Sequence, residues 1–354
     1  MKSQRLQLVL GLAIAAVALY FTFRGVSFHE IFGTLKTLKA HYLVFALVLF
    51  VLSFVFRAYR WRQLLMTVKP VPVNRIYSPL MIGFMGNLLP LRAGEFIRAF
   101  LLGQREGTGF SSSFATIVVE RLFDLLAVLG LFAGLLVFHP TAFVPHGGAG
   151  NPAIVKGVQI FGWVSLGVFL AVAAFSYLLS HHEQSARSLV RFFTRFLPRH
   201  FQERIDEVLR AFTVGFGVLR DPRGMAVTVA FTALLWGVIV LTNYPLYYCY
   251  GLEDRLPLVS LVTLLVLPAA AVMIPTPGFV GPWQFAVTFV LSDLYGVERS
   301  VAVSFSLISW FLQMALIFLA GAFFLVRDNI SFSEISRSAK EAADEGLGPN
   351  GGKP

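Results

Sequence analysis

Glu120, Arg121 and Asp124 are three ionisable side chains inside one apolar run, Ser112–Phe138, with Asp124 near its midpoint. Charged groups at bilayer depth cost about 2.5–3.5 kcal/mol each on insertion scales, so they normally face a protein interior or a water-filled path. On a helix, the four-residue spacing of Glu120 and Asp124 and the three-residue spacing of Arg121 and Asp124 crowd all three onto one side. Such a group can act as an ion pair that pins its helix to neighbours. It can also form the polar wall of a substrate path, with the carboxylates orienting arginines or coupling protons.

Two breaks rich in Pro and Gly carry the other candidates. In the first, Asn87, Pro90, Arg92, Gly94, Glu95 and Arg98 follow one another closely. A half-helix starting around Leu91 would aim its unpaired N–H groups and positive dipole end at the membrane midplane, a ready anion site. Arg92 and Arg98 would add two-pronged donors suited to phosphate, and Glu95, three residues from each, could orient either one. In the second break, Pro275, Pro277, Gly278, Gly281 and Pro282 precede Gln284, and Pro282 suits the first turn of a half-helix. Two facing helix N-termini would frame a polar pocket for a lipid phosphate. The plainer alternative is that Pro and Gly only allow tight packing, while Arg92 and Arg98 snorkel to the surface.

The elements that must position these residues follow from composition. Hydrophobic residues make up 56% of the chain and charged residues 14%, with mean hydropathy +0.73. Soluble domains carry about a quarter charged residues, so this is a membrane composition. Candidate spans are Leu6–Phe23, Tyr42–Phe56 (extending towards Trp61), Ser112–Phe138, Val158–Leu179, Ala226–Tyr248 and Val301–Val326. The stretches Ile76–Leu102 and Leu256–Leu294 hold the two breaks and read as re-entrant hairpins, because freed backbone at membrane depth must be covered by protein or water.

Net charge is +10, and the basic residues gather between spans. That is positive-inside bias, so no nucleic acid is needed to explain it. Arg57, Arg60, Arg62, Lys69 and Arg75 mark one cytoplasmic segment, and the arginines of 181–224 mark another. The expected fold is therefore an all-α polytopic membrane protein of about six transmembrane helices plus two re-entrant hairpins. Its halves, about 1–138 and 158–330, would form an inverted repeat, with a faint echo between residues 107–115 and 296–305. Both termini are expected in the cytoplasm, the protein lying in the inner membrane. The N-terminal run continues past Ala16-Val17-Ala18 and reads as an uncleaved first helix.

Within 181–224, Arg187, Arg191, Arg195 and Arg199 recur every four residues beside an apolar stripe, the pattern of a surface-lying amphipathic helix. The tail 331–354 is polar, Gly-rich and expected to be disordered. Cys249 is the single cysteine, which rules out an intramolecular disulfide and Cys-based metal sites. There is no P-loop, the His residues form no ligand set, and no metal or cofactor is expected.

The runs NLLPLRAGEFIRAFLL (87–102), VVERLFDLL (118–126) and IPTPGFVGPWQ (274–284), in that order, resemble the flippase-like transmembrane family. That family is the membrane region of lysylphosphatidylglycerol synthases and their stand-alone homologues, and the resemblance spans roughly residues 6–327. It implies a protein that moves or handles a lipid, either an aminoacylated phospholipid or a polyprenyl-linked one. Gly94, Glu95 and Arg98 match its GE-x-x-R element, Glu120, Arg121 and Asp124 its ER-x-x-D element, and Pro275, Pro277 and Gly278 its Pro/Gly turn. Gln284 departs from the Glu usual there, and Ile308-Ser309-Trp310 lacks the Arg that many members carry. Only a short tail follows Val326, so the aminoacyl-transfer domain is expected to be absent.

The resulting expectation is a lipid translocase, not an enzyme, that binds an anionic phospholipid or polyprenyl-phosphate headgroup near midplane. Asn87, Arg92, Glu95, Arg98, Glu120, Arg121, Asp124 and Gln284 would contact or order the headgroup. Pro90, Gly94, Pro275, Pro277, Gly278 and Gly281 would shape the turns. Membrane lipids are the expected partners, with a homo-oligomer or a lipid-modifying enzyme as protein partner. The competing classes are a membrane-embedded enzyme using Glu95 or Asp124 as general base, and an accessory subunit.

Overall fold

The computed structural model describes residues 2–88, 93–144, 221–274 and 276–330, with scattered positions between 156 and 194. Among the described residues the secondary structure is helical throughout, with no strand. Helix α1 (Lys2–Phe23) turns by 72° into α2 (Phe28–Lys36), which starts at a capping box in which Ser27 and Glu30 satisfy each other's backbone N–H groups. Then come α3 (Tyr42–Leu65), α4 (Val73–Gly86), α5 (Gly94–Glu106) and α6 (Phe110–Phe138). Gly107 ends α5 in a left-handed conformation.

After the gap in described residues, α7 (Pro222–Leu241) is started by Asp221, whose carboxylate accepts from the N–H groups of Arg223 and Gly224, with Pro222 in the first turn. The short α8 (Tyr244–Tyr250) continues it. Helix α9 (Val259–Val272) and α10 (Pro282–Thr288, extended by a π turn Phe289–Leu294) flank the second break, and α11 (Arg299–Arg327) closes the fold.

Four helical stretches are long and apolar enough to cross a bilayer: Tyr42–Leu65, Phe110–Phe138, Pro222–Tyr250 and Arg299–Arg327. The bent α1–α2 pair makes a fifth. They correspond to five of the six expected spans. The sixth, Val158–Leu179, falls largely outside the described residues, as do most of segment 181–224 and all of the tail 331–354. Arg57 and Arg60 lie in α3, as the extension of the second span to Trp61 expects, and Arg62, counted with the cytoplasmic segment, is in the same helix. The helix continues past Phe56, with Arg60 and Trp61 buried, Arg57 half-buried and Arg62 exposed.

The two broken stretches are helix–break–helix units. Helices α4 and α5 pack antiparallel, with Ile76 and Leu80 against Ala99 and Leu102. Both are short, 14 and 13 residues, so each reaches only about 20 Å against the ~30 Å of a bilayer core. Helices α9 and α10 pair likewise. Pro79 and Pro268 sit inside the first arm of each unit.

Helix α3 threads between the two cores. Its Ala46 end joins Tyr247, Leu264, Leu291 and Phe305, and its Ala58–Leu65 end joins the α4–α5 core. Helix α7 packs closely along α3 through Gly224, Thr228 and Thr232, three buried small residues four apart. Small residues let two backbones approach, and in lipid that close packing is what holds helices together.

Candidate functional site

Three helices bring charge to one point inside the bundle, α3 with Arg57 and Arg60, α5 with Arg98, and α6 with Glu120, Arg121 and Asp124, and α7 adds the uncharged Thr232 and Trp236. Arg60 and Glu120 have no accessible surface, and Arg98 and Asp124 are buried as well. Glu120 lies about 15 Å and Asp124 about 21 Å along α6 from its first residue.

Glu120 is the hub. Arg98 donates to both its oxygens, at 3.1 and 2.6 Å, in a two-pronged pair across α5 and α6. Arg121 donates to Glu120 Oε1 at 2.7 Å, and Arg60 Nη2 lies 3.4 Å from the same oxygen. Below the pair, the Arg98 guanidinium carbon rests 3.5 Å from the centre of the Trp61 ring, whose Nε1–H donates to Thr116 Oγ1. A delocalised guanidinium over an aromatic face is favourable where water is excluded. Arg98 is therefore locked inside the protein, and the alternative of snorkelling to the surface is corrected.

Asp124 forms the second node. Its Oδ1 accepts from Arg60 Nη1 at 2.7 Å and from Trp236 Nε1 at 3.2 Å. Its Oδ2 has no hydrogen-bond partner among the described residues, although Arg121 Nη1 is 3.4 Å away and Arg57 Nη1 3.8 Å. The Arg57 guanidinium also faces the Phe84 ring of α4 at 5.1 Å. Arg60 Nε and Nη2, Arg98 Nε and Arg121 Nε are likewise buried without a hydrogen-bond partner among the described residues.

The first break borders this cluster. Asn87 spans it, its Oδ1 accepting from the Gly94 N–H at 2.9 Å and its Nδ2 donating to Glu95 Oε1 at 3.2 Å. For Arg98 this corrects the expected role of Glu95, since Glu120 is what holds Arg98; Arg92, the other arginine that Glu95 was expected to orient, lies outside the described residues. Gly94 is required sterically, because a β-carbon there would overlap the Gly83 carbonyl oxygen and the Asn87 amide. Helix α5 begins at Gly94, three residues later than expected. Pro90 and Arg92 lie outside the described residues.

The second break stands apart. Gln284 is buried, and its Oε1 accepts from the Gly281 N–H at 2.7 Å, so it caps α10 from within. An amide oxygen does this without the charge of a carboxylate. Gly281 has φ +92° and lies against the backbone of α1 at Ala15, a place open only to glycine. Gly278 also has positive φ, and its carbonyl accepts from Trp310 Nε1 at 2.8 Å. Pro277 opens the short turn before it, and Pro275 lies outside the described residues. Along α11 the second break sits at Trp310, while the α4 end of the first sits at Gly321, about 16 Å further on. The charged side chains thus converge beside the first break, not between two facing helix N-termini.

Sequence reasoning missed Arg57, Arg60, Trp61, Thr232 and Trp236. The signal for the arginines was present: both fall within the apolar run once the second span is extended to Trp61. Nothing local pointed to Thr232 or Trp236.

The family described as the lysylphosphatidylglycerol synthase TM region matches residues 8–321, nearly the whole chain. The chain belongs to this family. Among similar proteins, Glycosyltransferase AglD of Haloferax volcanii is 24% identical over 97% of this chain. The chain spans 58% of the length of that relative. A UPF0104 membrane protein of Pyrococcus horikoshii is 22% identical over 75% of this chain and 81% of its own length. Another, from Methanothermobacter thermautotrophicus, is 24% identical over 77% and 80%. No solved structure matches. The GE-x-x-R and ER-x-x-D runs of this chain meet in space, since Arg98 of the first and Glu120 of the second are direct partners.

Proposed function

We propose that this polytopic member of the lysylphosphatidylglycerol synthase TM family is a lipid translocase, in which the Arg57–Arg60–Arg98–Arg121 cluster receives an anionic headgroup. One observation carries the reading: four guanidinium groups gather inside the helical bundle, and N–H groups of Arg60, Arg98 and Arg121 have no hydrogen-bond partner among the described residues. Buried donors without partners are costly, and an anion entering there would satisfy them. The two helix–break–helix units support a re-entrant arrangement, since arms of 13–14 residues cannot cross alone. In this reading the halves are inverted repeats, both termini are cytoplasmic, and rocking of one half against the other exposes the site to each leaflet. A homo-oligomer or a lipid-modifying enzyme is the expected protein partner.

The name of the Haloferax relative favours a second reading, an accessory role beside glycosyl transfer onto a lipid. Identification of lipid that co-purifies with the protein separates the readings. An anionic lipid retained by the wild type and lost in Arg57→Gln at matched folding supports the headgroup site. Equal lipid content in the two proteins contradicts it.

A further inference from the structure

The charges of the cluster do not balance. Among the described residues, Arg57, Arg60, Arg98 and Arg121 face two carboxylates at ion-pair distance, Glu120 and Asp124, so the arginines outnumber their paired carboxylates by two, and by one when Glu95 is counted. Glu95 is more distant and is held by Asn87, although its field reaches Arg98 and Arg121. A positive excess at partly accessible guanidinium groups, backed by arginines with almost no accessible surface, points to a bound anion.

The imbalance has a location. Both oxygens of Glu120 and Oδ1 of Asp124 accept hydrogen bonds from arginine. Asp124 Oδ2 accepts none and sits between Arg57 and Arg121 at 3.8 and 3.4 Å. Those two arginines also keep accessible side-chain surface, 13% and 38%, whereas Arg60 and Arg98 keep almost none. The buried pair therefore builds the wall, and the accessible pair stands open around one loosely held carboxylate oxygen.

We propose that Arg57 and Arg121 close on a terminal phosphate carrying two negative charges, as in a lipid phosphomonoester, and that Asp124 Oδ2 holds their place when no lipid is bound. The inference rests on the headgroup-site reading and narrows its substrate class. A phosphodiester brings one negative charge to these two guanidinium groups, where a phosphomonoester brings two.

The test is a binding measurement on the purified full chain in neutral detergent at pH 8. Decyl phosphate, whose second ionisation lies near pH 6, is dianionic there, and decyl methyl phosphate is its singly charged counterpart with a similar tail. Titration calorimetry, with tryptophan fluorescence from Trp61 and Trp236 as a second readout, should give about tenfold tighter binding of the monoester, the value of one further charge-assisted contact. Arg57→Gln should bring the two ligands to within about threefold of each other. Arg57→Lys, keeping the charge but not the fork, should fall between. Asp124→Asn should bind the monoester more tightly than wild type. Equal affinity for monoester and diester in the wild type, or an unchanged ratio in Arg57→Gln, would overturn the proposal. Inorganic phosphate binding as tightly as decyl phosphate would assign the site to a free anion and overturn the lipid source. Because the readout is binding, monoester preference without any lipid movement in liposomes would reject translocation and leave this inference standing.

Discussion

Arg98 and Glu120 grip each other through two parallel hydrogen bonds across the α5–α6 interface, with the Arg98 guanidinium lying on the Trp61 ring. The pair joins the second arm of the first helical hairpin to the helix that carries Asp124. It is both a structural clasp and a wall of the charged site, and the two roles can be separated by substitution.

Loss of one partner should be severe. Arg98→Ala leaves Glu120 buried with one two-pronged partner gone, a change that typically costs about 3–5 kcal/mol. The double variant Arg98→Met, Glu120→Leu removes both charges and should recover much of the melting temperature lost by the single one. Thermal unfolding in detergent checks this. A double variant less stable than Arg98→Ala would count against the clasp.

The first break depends on Asn87 and Gly94. Asn87→Ala removes the acceptor for the Gly94 N–H and should lower stability by about 1 kcal/mol. Gly94→Ala should be worse, because its β-carbon meets the Gly83 carbonyl and the Asn87 side chain, a backbone contact that cannot relax cheaply. Melting temperatures of the two variants should therefore rank Gly94→Ala below Asn87→Ala.

How much of this was legible in the sequence depends on the range of the cause. Helix spacing alone put Glu120, Arg121 and Asp124 on one side, and the structure finds Arg121 bonded to Glu120 and beside Asp124. The breaks were legible from Pro and Gly, whose effect is local. Partners were not. Glu95 lies one turn from Arg98, yet Arg98 turns to Glu120, 22 residues away, because α5 packs on α6. Gln284 looked like a site residue and caps its own helix. Arg57 and Arg60 were counted as cytoplasmic charge although the second span extended past them to Trp61, and only the α3–α6–α7 contact shows Arg60 turned inward to Asp124.

Asp328, just past α11, ties the end of that helix to the first hairpin. It accepts from Ser78 and Arg105, and Arg327 donates to its other oxygen. Partial burial acts to raise its pKa, but the hydrogen bonds from Arg327, Ser78 and Arg105 outweigh that and hold it at about 2. An unfolded aspartate titrates near 3.9, so the contribution is fully present above about pH 4 and is lost as pH falls towards 2. The melting-temperature gap between wild type and Asp328→Asn should be constant from pH 8 to 5 and shrink below pH 4. A gap that widens in acid would contradict the assignment.

Topology follows from the same helices. In a Cys249→Ser background, Pro70→Cys and Gln104→Cys should react with an impermeant thiol reagent only from the cytoplasmic side. Asp254→Cys and Glu298→Cys should react only from the opposite side. Labelling of Gln104→Cys and Asp254→Cys from one side would remove the inverted arrangement.

The central claim is that the buried arginine–carboxylate cluster carries a lipid headgroup between leaflets without altering it. Headgroup-labelled anionic and aminoacylated lipids in liposomes containing purified protein test it most directly, with Asp124→Asn as the comparison. That variant keeps an acceptor for Arg60 and Trp236 and should fold, yet it loses the carboxylate charge beside Arg57 and Arg121. The expected result is movement of an anionic lipid, chemically intact, that falls at least about tenfold in the variant, because without the carboxylate nothing replaces the headgroup on Arg57 and Arg121 and the lipid is released more slowly. Movement no faster than in empty liposomes for every lipid, a new lipid product, or full-rate movement by folded Asp124→Asn would contradict the account.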